Sequence, residues 1–146
     1  MKRAGFTMIE LIFVIVILGI LAAVAIPKLA ATRTDAEVSK GATEVAQAVS
    51  DIGAYYTSQG TFAALSAMTN VPFDDETKGA ADGDVAQYQT GPTPDDCITI
   101  TFHSVSDGNI TVSDNNATTT AVCTGLQNAT VDVKGLHTFG GTGVRY

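Results

Sequence analysis

The chain has 146 residues, with 15 acidic against 8 basic side chains, two cysteines and two histidines, and a formal charge of −7. One membrane-length apolar segment at its start leaves about 120 residues, room for one compact domain and not two. The acidic balance argues against general affinity for phosphate backbones or anionic lipid heads. His103 and His137 have neither triad nor zinc-ligand context, which argues against an enzyme and against a metal or other cofactor.

Met1-Lys2-Arg3-Ala4-Gly5 is a short basic leader, and from Phe6 to Ile26 every residue is apolar except Thr7, Glu10 and Gly19. At about 1.5 Å per residue, a helix over this run spans roughly 30 Å, the hydrocarbon thickness of a bilayer. A secretory signal has an apolar core of about 7–15 residues and then a small-residue cleavage site. This run is longer and continues into a helical pattern. Lys2 and Arg3 predict a cytoplasmic N-terminus and a translocated C-terminal domain.

Glu10 does not suit a plain anchor, because a carboxylate in hydrocarbon is costly and calls for a partner or a function. No Lys or Arg lies within a helical turn of it. A cut between Gly5 and Phe6 would create an α-amino group at the same depth, about one turn away. In a bundle, the carboxylate of one subunit could then meet the amine of its neighbour. The alternative is a glutamate snorkelling to the headgroups.

Gly5-Phe6-Thr7-Met8-Ile9-Glu10-Leu11, with the apolar run to Ala25-Ile26-Pro27, resembles the N-terminal signature of type IV pilins and the related pseudopilins of type II secretion systems. The resemblance implies that a prepilin peptidase cuts after Gly5 and that Phe6 becomes an N-methylated terminus. It also implies that Glu10 guides addition of subunits to a homo-oligomeric helical filament at an inner-membrane assembly platform. Pro27 removes one helical hydrogen bond and predicts a kink. The resemblance suggests instead that the helix from Gly19 to Pro27 melts or stretches on assembly, and both readings stand.

Beyond Pro27 the helix continues to residue 60 and becomes amphipathic. Val38, Ala42, Val45, Val49, Ile52 and Tyr56 form a stripe at spacings of four and three, suited to packing on a domain. Gly60 is a reasonable C-terminal cap. Residues 61–96, with Pro72, Pro92, Pro94 and many acids, read mainly as loop, with a short helix around Thr61 to Met68. The acids lack the alternating spacing of a calcium loop, so no metal site is expected.

Residues 97–146 read as sheet. Cys97-Ile98-Thr99-Ile100-Thr101-Phe102 alternates, Asp107-Gly108 signals a hairpin, and Ile110-Thr111-Val112 resumes the pattern. Ala121-Val122-Cys123 and Thr130-Val131-Asp132-Val133 read as two further short strands. The class is therefore α+β: a long N-terminal helix packed on a small antiparallel sheet, as in the heads of the resembled family. The domain reading is 1–5 leader, 6–27 transmembrane or filament-core helix, 28–60 amphipathic helix, and 61–146 globular head. In an oxidising compartment Cys97 and Cys123 would pair, closing a loop worth roughly 3 kcal/mol.

Three Asn-X-Thr tripeptides start at Asn109, Asn116 and Asn128, and the first two have an acid two residues earlier. That pattern resembles the extended acceptor of bacterial N-glycosylation and makes Asn109 and Asn116 candidates; the alternative is ordinary turn and strand chemistry. The expected function is a structural subunit of a type IV pilus, embedded in the membrane before assembly and surface-exposed afterwards. A type II secretion pseudopilin is the alternative, and a single-pass anchored binding domain a further one. The resembled major pseudopilins carry a calcium-binding acidic loop near the C-terminus, whereas Lys134 to Tyr146 contains no acid. Nucleic-acid binding along the shaft is disfavoured, although Lys78, Lys134 and Arg145 could gather across subunits.

Overall fold

The computed structural model describes residues 5–90, 95–117 and 119–140, without the side chain of Ala30. Met1 to Ala4, Pro92, Pro94, Thr118 and Arg145 lie outside the described residues. The chain divides into two compact units, Met1–Thr34 and Asp35–Tyr146. Helix α1 (Met8–Gln59) passes through both Gly19 and Pro27 without interruption. By its chemistry, Pro27 leaves the carbonyl of Ala23 without its helical donor.

In the first unit the apolar side chains of α1 face outward. Phe6 is 84 % exposed and Leu29 69 %. The helix is long and apolar enough to cross a membrane, and from Leu11 to Ile26 it carries no polar side chain on any face, as a helix solvated by lipid or by other helices requires.

The second unit contains the remainder of α1, helix α2 (Leu65–Met68), strands β1 (Val85–Thr90), β2 (Asp95–Ser104) and β3 (Asn109–Asp114), helix α3 (Ala121–Ala129), and strand β4 (Gly135–Thr138). The sheet is antiparallel in the order β1-β2-β3-β4. Its inward positions follow the period of two: Ala86 and Tyr88, then Ile98, Ile100 and Phe102, then Ile110 and Val112 are buried. From α1, the stripe residues Val45, Val49, Ile52 and Tyr56 enter the same core together with Ala48. Phe62, Leu65, Met68, Val71 and Phe73, from the segment after α1, complete it.

Two glycines permit close approaches in this core. Gly108 closes the β2–β3 turn at φ +69°, where a Cβ would stand 2.6 Å from the Tyr56 ring. A Cβ on Gly125 of α3 would stand 2.7 Å from Val38 of α1. The Tyr56 hydroxyl donates to the Ser106 carbonyl at 2.7 Å, fixing the same turn from the helix side.

Cys97 of β2 and Cys123 of α3 form a disulfide, with their Cα atoms 4.9 Å apart. It links α3 to the sheet, and both cysteines are fully buried.

Three stretches depart from the sequence reading. Ala121-Val122-Cys123 opens α3 and is not a strand. Thr120 accepts the Cys123 N–H at 3.2 Å as the N-cap, and Cys123 and Leu126 turn inward on one face. Thr130 to Val133 form turns, and the fourth strand comes later at Gly135–Thr138. The region read as loop, 61–96, contains β1, which pairs with β2 from Val85↔Thr101 to Thr90↔Asp95. The sheet therefore starts before residue 97, and residues 97–146 include a helix.

Candidate functional site

The chemistry-bearing residues expected from sequence cluster where α1 begins. Gly5, Phe6 and Thr7 precede the helix in non-helical conformation. Thr7 occupies the N-cap position and Glu10 the third helical position. The Glu10 N–H donates to the Thr7 hydroxyl oxygen at 3.3 Å, and the Thr7 N–H donates back to Glu10 Oε2 at 2.8 Å. The Thr7 hydroxyl also donates to Oε2 at 2.6 Å. These bonds form a reciprocal capping box, which satisfies backbone donors that the first helical turn leaves over.

Glu10 therefore has a partner within its own chain. Sequence reasoning sought a cation and missed the threonine, although Thr7-Met8-Ile9-Glu10 carries the Thr-x-x-Glu signature of such a box. Both Thr7 donors converge on Oε2; among the described residues no hydrogen bond is made to Oε1. The carboxylate thus retains an acceptor for an ammonium group without giving up the cap. The helix start also suits an anion, because the unpaired N–H groups there carry positive partial charge. Ile9, Ile12, Phe13 and Val16 line a shallow apolar face beside Glu10.

Gly19 lies in mid-helix, with open space where a Cβ would project. Packing within the chain does not account for its lack of a side chain. The other expected residues lie in the second unit: Cys97 and Cys123 are paired, Asn109 is the first residue of β3, and Asn116 lies in an exposed turn.

Four acids of 61–96 bind backbone donors. Asp74 accepts the Gln87 N–H at 2.7 Å, and Asp82 the Val105 N–H at 2.6 Å. Asp84 accepts from Gly79 and Ala81 at 2.9 and 3.1 Å. Asp75 accepts both donors of Thr77, which hold its carboxyl below the usual aspartate range. These carboxylates staple the connection that leads into β1. Among the described residues, no group of three or more His, Cys, Asp or Glu is arranged to hold a metal ion.

One polar pair stands between α1 and the edge strand. The Tyr88 hydroxyl donates to Glu44 Oε2, and Lys40 approaches the other oxygen at 3.5 Å. Burial raises the Tyr88 phenol above its ordinary value, reinforced by the hydrogen bond and charge of Glu44.

No curated protein and no solved structure matches the chain. Residues 1–26 match the family profile described as the prokaryotic N-terminal methylation motif, which marks structural proteins that are not enzymes. Together with the apolar helix, that motif fits a membrane-anchored precursor. By this N-terminal match, the chain carries the class III signal peptide of type IV pilins and pseudopilins, which supports a pilin-like or pseudopilin precursor.

Proposed function

We propose that the chain is a pilin, the structural subunit of a type IV pilus, built by lateral packing of α1 after cleavage behind Gly5 and N-methylation of Phe6. The observation that carries this reading is an all-apolar half-helix, exposed throughout, whose one carboxylate is capped at its start by Thr7. Before assembly, lipid solvates Phe6 to Ile26 and Thr7 satisfies part of the Glu10 carboxylate. In the filament, neighbouring helices replace lipid and the free amine of a neighbouring Phe6 takes the open oxygen of Glu10. Burying such a charge without a cation costs several kcal/mol or more, so pairing selects one stagger between subunits. Gly19 and Pro27 weaken the helix where neighbours can cover its backbone, which supports local melting there on assembly.

The type II secretion pseudopilin is the second reading, since its subunits share the same signal peptide. The acid-free sequence from Lys134 to Tyr146 and the disulfide between β2 and α3 favour the pilus. Sheared cell-surface material tests the choice. This chain as the dominant protein of sheared filaments is the expected result. Its absence from that fraction, with the mature chain present in membranes, would overturn the pilus in favour of a secretion pseudopilus or an anchored domain.

A further inference from the structure

Asparagine is an N-glycan acceptor when its side-chain amide and the hydroxyl two residues later can enter a transferase together on an accessible segment. The described residues of the three tripeptides are placed very differently with respect to that requirement.

Asn109 is held in the sheet from both sides. It pairs with Ser104 of β2 and Thr138 of β4, and the preceding carbonyl, of Gly108, accepts the Phe139 N–H at 2.9 Å. Its Oδ1 is buried without a partner among the described residues, and the Thr111 hydroxyl is bonded to His103 Nε2 at 2.7 Å. Presenting this tripeptide would pull β3 out of the middle of the sheet. Asn128 lies on α3, and its Thr130 hydroxyl is buried and donates to the Leu126 carbonyl at 2.9 Å. Leu126 also stands where the other two tripeptides have an acid.

Asn116 differs in its own placement. It lies in the exposed turn between β3 and α3, and among the described residues its side chain is not hydrogen-bonded, while the Ala117 N–H donates to Asn115 Oδ1 at 3.0 Å. The turn is anchored just before it. The Asn115 N–H donates to the Cys97 carbonyl at 3.0 Å, its side-chain amide donates to Gln87 at 2.8 Å, and Gln127 donates to its carbonyl at 3.0 Å. After the turn, Thr120 caps α3. Asn116 and Ala117 are therefore offered between two fixed ends, and extending them opens one turn bond, from Ala117 N–H to Asn115, but no strand pairing. Asp114, two residues before Asn116, ends β3 with its carboxylate one-third exposed and ion-paired to Lys134 at 2.9 Å. A basic group on a transferase can exchange with Lys134 there.

We propose that Asn116 is the acceptor of an N-linked glycan, taken from a lipid pyrophosphate-linked oligosaccharide on the outer side of the membrane. The Asn116 amide nitrogen forms a bond to the anomeric carbon and the bond from that carbon to the pyrophosphate oxygen breaks. The amide loses one proton, the lipid pyrophosphate leaves, and no oxidant or reductant is needed. The proposal rests on a translocated head and not on the choice between pilus and pseudopilus.

Mass spectrometry of the full chain purified from its native cells tests it, reading intact mass, the peptide carrying Asn116 and the state of the cysteines. The expected result is a sugar increment on that peptide. It should disappear in Asn116→Gln and Thr118→Ala, persist in Thr118→Ser, and persist in Asn109→Gln. An unmodified mass with Cys97 and Cys123 paired would overturn the proposal alone. An unmodified mass with two free thiols would overturn it together with the translocated orientation. A glycan that remains in Asn116→Gln would overturn the choice of acceptor.

Discussion

The two units handle apolar surface in opposite ways. From Asp35 onward, apolar residues have neighbours in their own chain: Val45, Ile52, Ile98, Ile100, Phe102 and Ile110 are completely buried. Among the described residues before Thr34 there is no such burial, and Ile9 is 78 % exposed. The head is thus a folding unit in the ordinary sense, stabilised by its own core. The N-terminal segment is stable only in a solvent supplied from outside, either lipid or neighbouring helices. The lesson is that substitutions in the head should act on folding, and those in the segment on assembly.

Glu10→Ala gives the largest expected separation of the two. Leader removal and head stability should be unchanged while filaments vanish from sheared material; normal filaments from this variant would end the pairing idea. Ile52→Ala should do the reverse, lowering head stability by about 3 kcal/mol through lost burial and a cavity, read as a shifted denaturation midpoint. A midpoint equal to the wild type would mean that α1 does not supply the core. Replacing both Cys97 and Cys123 with serine should cost the head roughly 3 kcal/mol in the chain-entropy model, without altering membrane insertion.

Tyr88→Phe should have a smaller effect, about 1 kcal/mol for a lost hydrogen bond. The Tyr88 phenol is raised in the fold, so its contribution is present below its ordinary value of 10.0 and is lost as pH rises through the raised one. Alkaline titration of head stability should therefore fall less steeply in Tyr88→Phe than in the wild type. Equal slopes would show that Tyr88 is not the group responsible.

The parts legible in the sequence are those with a strong period or a rigid motif. The stripe on α1 and the alternation of Ile98, Ile100 and Phe102 each name a buried face directly, and Gly5-Phe6 with Glu10 names the processing motif. Strand β1 escaped notice because its inward positions are Ala86, Tyr88 and Thr90. A small residue, a hydroxylated aromatic and a threonine hide a period of two, and the surrounding prolines and acids suggest a loop. Helix α3 escaped because Ala121-Val122-Cys123 is too short a run to distinguish periods, and its decisive cap is Thr120, a residue that also suits a strand. The Glu10–Thr7 cap was written in the sequence, but the membrane context drew attention to charge and away from helix-end geometry. Strand β4 contains a glycine and a histidine and has Leu136 exposed, so neither composition nor burial marks it.

The cap at Thr7 also bears on what a protease meets. The first backbone bond of α1 runs from Leu11 to the Thr7 carbonyl at 3.2 Å, and the reciprocal side-chain bonds reach no farther back than Thr7. The peptide bond between Gly5 and Phe6 lies outside this closed turn. Hydrolysis there would break none of these bonds, so α1 would keep its starting residue and its angular register. The same rotational phase that seats the precursor in lipid would then be handed unchanged to the filament.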